Sequence, residues 1–537
     1  MFAKIANALK AGTINLRHSY KYRSLDEYLI SKILWKKNKN EYLQRAELTD
    51  FYDPKVVLQT LEHALDKQYN LTNENILNKK NEFISFHKNG VFQLRTPKVE
   101  TEEAEVLSEY FPKTYISLLE ILSTINTACN FLDVFKHWQT KYNKPKPLDK
   151  TFLAGIIGYG CYIGTSKIAK ISKEINEHEL ENTINWYFSE DNISNANDKI
   201  LKVMDALDLP NIYRRDKDSL HTSSDGQKID IAVDSLNAGY SFKYHGMNKG
   251  VNAYRFIDER NFLFHSNVFS SSEKEAAYVI DGLLHNDVIR SDIHSTDTDG
   301  YSEVIFAVAY FLVFYFAPRI KGLKRQNLYA FKKRIVYEQK KYKILPDKYI
   351  NIKLIEDNWD DILRFIATIK LKDTTASQLF KRLNSYSKQH RLYRALKEFG
   401  RIVKSLFILN YIDDVKLRQA IEKQLNKIEN AHKFSDAISF GNNQEFIYAT
   451  KEEQEIAEGC RRLIENSIIC WNYLYLSQKI SGENNFDRKQ EVIDAIKNGS
   501  VVTWRHINLH GEYDFSEEKL QDSIGLNVHK ILRLKIA

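Results

Sequence analysis

Three carboxylates stand out by type and setting. Asp225 lies in HTSSDGQK, Asp297 in DIHSTDTDGYSE and Glu429 in RQAIEKQLNKIENAH. Each taken singly reads as a surface charge. Their settings differ, however. Asp225 falls on or beside a predicted strand, Asp297 just beyond another, and Glu429 on a strongly periodic helix. A strand, a neighbouring strand end and a facing helix can converge on one site. Phosphoryl transfer on DNA needs two hard cations about 3.5–4 Å apart, which clamp the attacking and leaving oxygens. Mg²⁺ takes oxygen ligands and keeps several waters, so two or three carboxylates suffice. Leu425 and Ile428 are expected to face the sheet, with Glu429 at the edge of that face. On spacing alone Asp230, Asp234, Asp292 and Asp299 are equal rivals. His294 reads either as a contact to the phosphate or to Asp297, or as a hydrogen-bonded core histidine.

Other motifs carry less. GIIGYGCYIGTSK (155–167) lacks the Lys directly after the last Gly that a P-loop needs. Its GxGxxxG spacing departs from the dinucleotide fingerprint. Close helix packing explains these glycines better. HELEN (178–182) has no second His one turn on, so it makes no zincin site. The four cysteines, Cys129, Cys161, Cys460 and Cys470, form no CxxC, which excludes a Cys-ligated zinc ribbon or a disulfide framework and suits a reducing cytoplasm.

The elements that must position the acids belong to a chain of 537 residues, 43% hydrophobic and 28% charged, with net charge +8. That is globular composition. Only 20 Gly and 8 Pro argue for a mostly helical chain and against an all-β sandwich or barrel. The N-terminus has no signal-peptide core, and the apolar run 304–317 is too short to span a bilayer, so it reads as a buried helix. LDEYLISKILW (25–35) and VVLQTLEHALDKQY (56–69) show helical spacing, and KYNKPKPLDK (141–150) is the best linker. Strands are predicted at 220–235, 239–246, 251–258 and 288–295, with MNKG as a hairpin turn between the second and the third. Helices are predicted at 270–285, started by a Ser272/Glu275 capping box, and at 303–316. This order fits an RNase H-like α/β domain within an α+β, predominantly helical chain.

The segment 319–343 gathers ten Lys/Arg with one acid, Glu338, and interleaves Tyr329, Phe331, Tyr337 and Tyr342. Arg319, Lys321, Lys324, Arg325, Lys332, Lys333 and Arg334 are therefore expected to contact the DNA backbone, against the plain alternative of a solvated helix face.

SSDGQ (223–227), HSTDTDGYSEVIFAVAYFLVFYFAPRI (294–320) and LNKIENAH (425–432) together resemble the catalytic region of Tn3-family transposases. WDDILRFIATIK, TASQLFKRLNSY, ALKEFGRI, CWNYLYL and WRHINLHGEY follow the same pattern in the same order. The resemblance places Asp225, Asp297 and Glu429 on the family's DDE triad, as catalytic and metal-binding residues, and selects Asp297 over Asp299. It implies two Mg²⁺ ions, with Mn²⁺ able to substitute, nicking at a transposon 3′ end, and strand transfer in replicative transposition. It also implies terminal inverted repeats and target DNA as partners, a homodimer, no nucleotide cofactor, no membrane, and a bacterial, nucleoid-associated location. The domains it suggests are a helical scaffold or dimerisation region (1–145), a helical connector (150–215), a first part of the RNase H-like core (216–324), a helical insertion (325–410), and the Glu helix with the C-terminal region (411–537). Family members extend further at the N-terminus, in a part that recognises the repeats. The alternative is a truncated, non-catalytic remnant that binds DNA or a transposase and inhibits it.

Overall fold

The computed structural model describes residues 1–536 apart from 11–13, 20, 21, 88–91, 100, 101, 103, 140, 142–144, 287, 386–389, 511, 512, 522 and 523. Part of the expected linker, the end of TASQLFKRLNSY, and Gly511 and Glu512 of the C-terminal motif lie outside the described residues. The helices used below are α1 (Pro54–Leu77), α2 (Asp149–Gly160), α3 (Glu303–Phe311), α4 (Arg391–Asp413), α5 (Val415–Ile438) and α6 (Lys451–Gly482). The strands are β1 (His221–Asp230), β2 (Lys249–Asp258), β3 (Leu263–Ser270), β4 (Ile293–Thr296) and β5 (Tyr315–Phe316). The chain is mostly helical with a smaller strand content, an α+β architecture. Among the described residues no helix is long and apolar enough to cross a membrane.

The chain packs as two units, each drawn from three stretches. The first unit comprises Met1–Val99, Lys274–Leu284 and Asp292–Glu422. In it, the Asp53 side chain caps α1 and Pro54 opens the first turn, where its missing N–H costs nothing. Val57, Leu58, Leu61, Leu65 and Tyr69 recur at helical spacing and bury one face of α1, which packs on α4. β4, α3 and β5 form a strand–helix–strand unit whose strands pair in parallel, Ile293 with Tyr315 and His294 with Phe316. The apolar run does not stay helical to residue 316. Helix α3 stops at Phe311, Val313 turns through a positive φ of 62°, and Tyr315–Phe316 returns as a strand. Helix α4 crosses α3 at Gly400, where a Cβ would sit 1.6 Å from the Glu303 carbonyl oxygen. Only glycine permits that approach.

The second unit comprises Glu100–Glu273, His285–Ser291 and Lys423–Ala537. β2 is central and almost wholly buried, antiparallel to β1 on one side and to β3 on the other. Beneath the sheet lies α6, a 32-residue helix started by a Thr450/Glu453 capping box. Helix α2 packs on it through Gly160, whose absent Cβ leaves room for the Arg461 backbone N at 2.9 Å. The glycine-rich stretch is thus a packing device, as the sequence suggested.

Several boundaries differ from expectation. Only Gly239–Tyr240 of the second predicted strand is extended; Phe242–His245 coils into a helical turn ended by Gly246 at φ 57°. β3 was not predicted: its polar centre, His265-Ser266-Asn267, hides the alternation. The helix expected from residue 270 begins late, as a 3-10 turn at Glu275–Ala277 followed by Val279–Leu284, because Ser272 Oγ bonds Ser270 Oγ (2.9 Å) rather than capping. The fourth strand is shorter than 288–295 and occupies 293–296. The 25–35 segment breaks at Ser31, which caps a new helix from Lys32.

Candidate active site

Alternation along β1 puts Ser223, Asp225 and Gln227 on one face. Two of them anchor α5. Ser223 Oγ donates to the Gln424 carbonyl (3.1 Å), while Gln227 Nε2 donates to Asp436 Oδ1 (2.6 Å). Gln424 Nε2 also reaches the Ile257 carbonyl of β2 (3.2 Å). The helix therefore runs along the strand, and Asp225, midway between the anchors, stands abreast of the middle of that helical span. Glu429 is in that middle. Leu425 and Ile428 are buried as expected, and Glu429 is exposed on the flank of the buried face. The rival Asp230, an odd number of residues from Asp225, belongs to the other face and bonds His245 Nδ1. Asp234 is exposed.

Arg255 of β2 is the cross-strand partner of Asp225. Its guanidinium is buried; it donates to Ser435 Oγ (2.7 Å), lies 2.9 Å from Glu458 Oε1 and pairs with Glu465. Arg461 pairs with Glu458 in turn. Burial pushes the Glu465 carboxyl up, against the pull of Arg255 and Arg461. This network ties β2 to α5 and α6. From the C-terminal motif, Trp504 stacks on Phe434 of α5 (5.0 Å) and His506 bonds Asn472 (2.9 Å), so WRHINLHGEY braces these helices from another side.

Asp297 belongs to the first unit. It follows β4 and caps a short 3-10 turn, its Oδ1 accepting the Thr298 N–H (2.5 Å). Pairing of β4 and β5 continues past the strands, Arg319 N–H donating to the Thr296 carbonyl, and this sets Arg319 beside Asp297. Arg319 donates to Asp297 Oδ1 from Nε (3.3 Å) and Nη2 (3.1 Å), and from Nη1 to Glu422 (3.2 Å). Lys321 Nζ is 3.5 Å from Asp297 Oδ2. Burial raises the Asp297 carboxyl, but the Thr298 N–H and these cations outweigh it and hold it below the usual carboxylate range. Asp292 and Asp299 are exposed. His294 is fully buried, its ring stacked on Phe316 (6.4 Å).

The expected triad is thus distributed: Asp225 and Glu429 in the second unit, Asp297 in the first. Among the described residues no group of three His, Cys, Asp or Glu side chains is gathered closely enough to hold a cation. The donor chemistry still suits Mg²⁺, since all three are hard carboxylate oxygens. The partnership of Asp297 with Arg319 and Glu422 was not foreseen; no local pattern links three residues so far apart in sequence.

The basic segment is less free than its composition suggests. Lys332 pairs with Asp66 and lies 3.9 Å from Glu62, and Arg334 Nε bonds Glu338 (2.8 Å). Arg325 and Lys333 are exposed, and the Lys324 side chain lies outside the described residues. The interleaved aromatics are partly structural: Tyr337 is buried against Tyr69 of α1 (5.1 Å), and Tyr69 donates to the Tyr329 carbonyl.

The three candidate acids lie on a strand, beyond a strand end and on a helix. Residues 120–513 match the family described as Tn3 transposase DDE domain, and the chain belongs to that family. It is 30% identical over 537 residues to the transposase for transposon Tn1546 of Enterococcus faecium, an alignment covering 99% of this chain and 53% of that protein. Against the transposase for transposon Tn2501 of Escherichia coli it is 30% identical over 519 residues, 95% of this chain and 51% of the relative. The transposase for transposon Tn501 of Pseudomonas aeruginosa is 27% identical over 523 residues, 96% and 52% respectively. The chain spans about half the length of the curated relatives it matches.

Proposed function

We propose that this chain carries the catalytic part of a DNA transposase. Asp225, Asp297 and Glu429 form its triad, held in an RNase H-like arrangement of strands and a later helix, and it performs 3′-end nicking and strand transfer in replicative transposition of a Tn3-type element. The observation that carries the reading is α5 laid along β1, anchored at Ser223 and Gln227, with Glu429 abreast of Asp225. Family membership supports it. Two divalent cations, Mg²⁺ or Mn²⁺, would be held by the three carboxylates and would supply the charge that clamps the oxygens of an in-line displacement. Around them the chain's own groups position the reactants. Arg255 and its buried partners fix β2 and α5 under Asp225 and Glu429. Arg319 and Lys321, beside Asp297, are placed to receive DNA phosphates. No Ser or Tyr nucleophile is needed, because water and then the DNA 3′-hydroxyl attack. Transposon ends, target DNA and a second copy of the chain are the expected partners.

The test is an Mg²⁺- or Mn²⁺-dependent nicking and strand-transfer assay on DNA carrying a transposon end, with Asp225→Ala, Asp297→Ala and Glu429→Ala. Each substitution is expected to abolish both steps. Activity retained in any one removes that residue from the triad.

A further inference from the structure

A cleft of about 550 Å³ opens in the first unit beside Asp297. Its size falls within the range of sites that hold small organic ligands, roughly 300–1,000 Å³. Arg319 and Lys321, the two cations that grip Asp297, also line it. Phe92, Tyr411, Thr96 and Glu422 line it as well. The lining therefore combines two cations, two aromatic rings and one carboxylate that is itself anchored by Arg319.

We propose that this cleft takes a single unpaired nucleotide of the DNA substrate. The inference rests on the DNA-processing reading above and adds a subsite to it. The chemistry of the lining matches the parts of a nucleotide in turn. Arg319 and Lys321 already pair with carboxylates, Arg319 with Asp297 and Glu422 and Lys321 with Asp297, and a phosphate presents the same sign of charge to the same donors. Phe92, half-buried, gives an unpaired base a stacking surface, which is sequence-tolerant because every base has a π face, while Tyr411 is buried in the wall behind. Glu422 is an acceptor for an exocyclic amine of adenine or cytosine. A paired base cannot enter, because its ring is stacked within the duplex. An unpaired nucleotide held here would fix the strand next to Asp297, which the two lining cations grip.

The test uses labelled duplexes with one internal unpaired nucleotide, compared with the same duplex carrying an abasic site there and with a fully paired duplex, each titrated by fluorescence anisotropy. The wild-type chain should prefer the unpaired base over the abasic site by about tenfold, the effect of one stacked base. Thr96→Trp, which fills the cleft, should erase that preference while leaving affinity for the paired duplex unchanged. Phe92→Ala should reduce the preference without adding bulk, so a folding defect in the first variant does not leave the matter open. Equal affinity for base and abasic site, or a preference intact in both variants, overturns the proposal. The readout is binding, so it separates from the catalytic reading. Asp225→Ala should keep the base preference, and a chain that shows the preference but nicks no DNA would sink the transposase reading while leaving the subsite standing.

Discussion

Replacing Arg255 with methionine tests how the two acids of the second unit are held in place. Methionine keeps an unbranched apolar stem but removes the guanidinium, and with it the charge and donors. In the native set two guanidiniums, Arg255 and Arg461, face two carboxylates, Glu458 and Glu465, and all four are almost fully buried. The substitution leaves the buried Glu465 carboxylate without its paired guanidinium and strands the Ser435 hydroxyl. Breaking a buried pair in this way costs about 3–5 kcal/mol. The sign of the pH dependence follows. Glu465 already sits above the ordinary carboxylate range, and losing Arg255 moves it higher. A folded-state pKa above the unfolded value means the native state binds more protons, so stability falls as pH rises through that window. The deficit should therefore be largest at high pH and shrink as pH falls through the range where Glu465 takes up a proton. Urea denaturation followed by tryptophan fluorescence at several pH values measures it. Adding Glu465→Gln to Arg255→Met should recover at least about 1 kcal/mol, since the unpaired charge is gone. A deficit below about 1 kcal/mol, or one that is flat with pH, refutes the network as the brace of β2.

Three further outcomes are expected. Glu455 is largely buried, accepting the Val268 N–H, and desolvation pushes its carboxyl up to about 8, with the exposed Lys451 at 3.7 Å too weak to offset it. Stability should fall as pH rises from the unfolded carboxyl value toward 8, and Glu455→Gln should flatten that slope, worth about 3 kcal/mol at pH 7; an unchanged melting profile against pH would dispose of the idea. Gly400→Ala should destabilise the first unit by about 3 kcal/mol or more, because its Cβ meets the Glu303 carbonyl, and a thermal midpoint equal to wild type would contradict the crossing described. Neutralising the exposed Lys333 should lower the log–log salt slope of DNA binding by about 0.9, whereas neutralising Lys332, already paired with Asp66, should lower it less; equal effects would mean those acids do not matter.

The sequence disclosed some of this architecture and concealed the rest for identifiable reasons. β-branched, alternating texture marked β1 and β2, and 3.6-residue periodicity marked α5 and the burial of Leu425 and Ile428, because those signals are local. The apolar run at 304–317 announced burial but not where its helix ends, since a single residue with positive φ, Val313, decides that. β3 escaped notice because three polar residues occupy its centre. Arg319 read as a DNA contact, and only the β4–β5 pairing shows it gripping Asp297. Tyr329 and Tyr337 read as partners of the charged run, and only the packing of α1 shows them as anchors. The candidate acids were picked out by motifs, while the Arg319 and Lys321 charges beside Asp297 come from a later strand end.

The threading of the two units has a consequence for how the protein is made. The first unit needs residues up to Glu422, although its opening stretch ends at Val99. At bacterial synthesis rates of 5–20 residues per second, that opening stretch waits on the order of half a minute for its partners. The second unit in turn is interrupted before it can recruit α6. Neither can fold to completion behind the ribosome as a finished block, so both must close late, over long loops, with strand edges and apolar helix faces exposed meanwhile. The nascent chain should depend on chaperones for that interval, and cutting the gene at a boundary between stretches should yield fragments that precipitate apart and become soluble only when produced together.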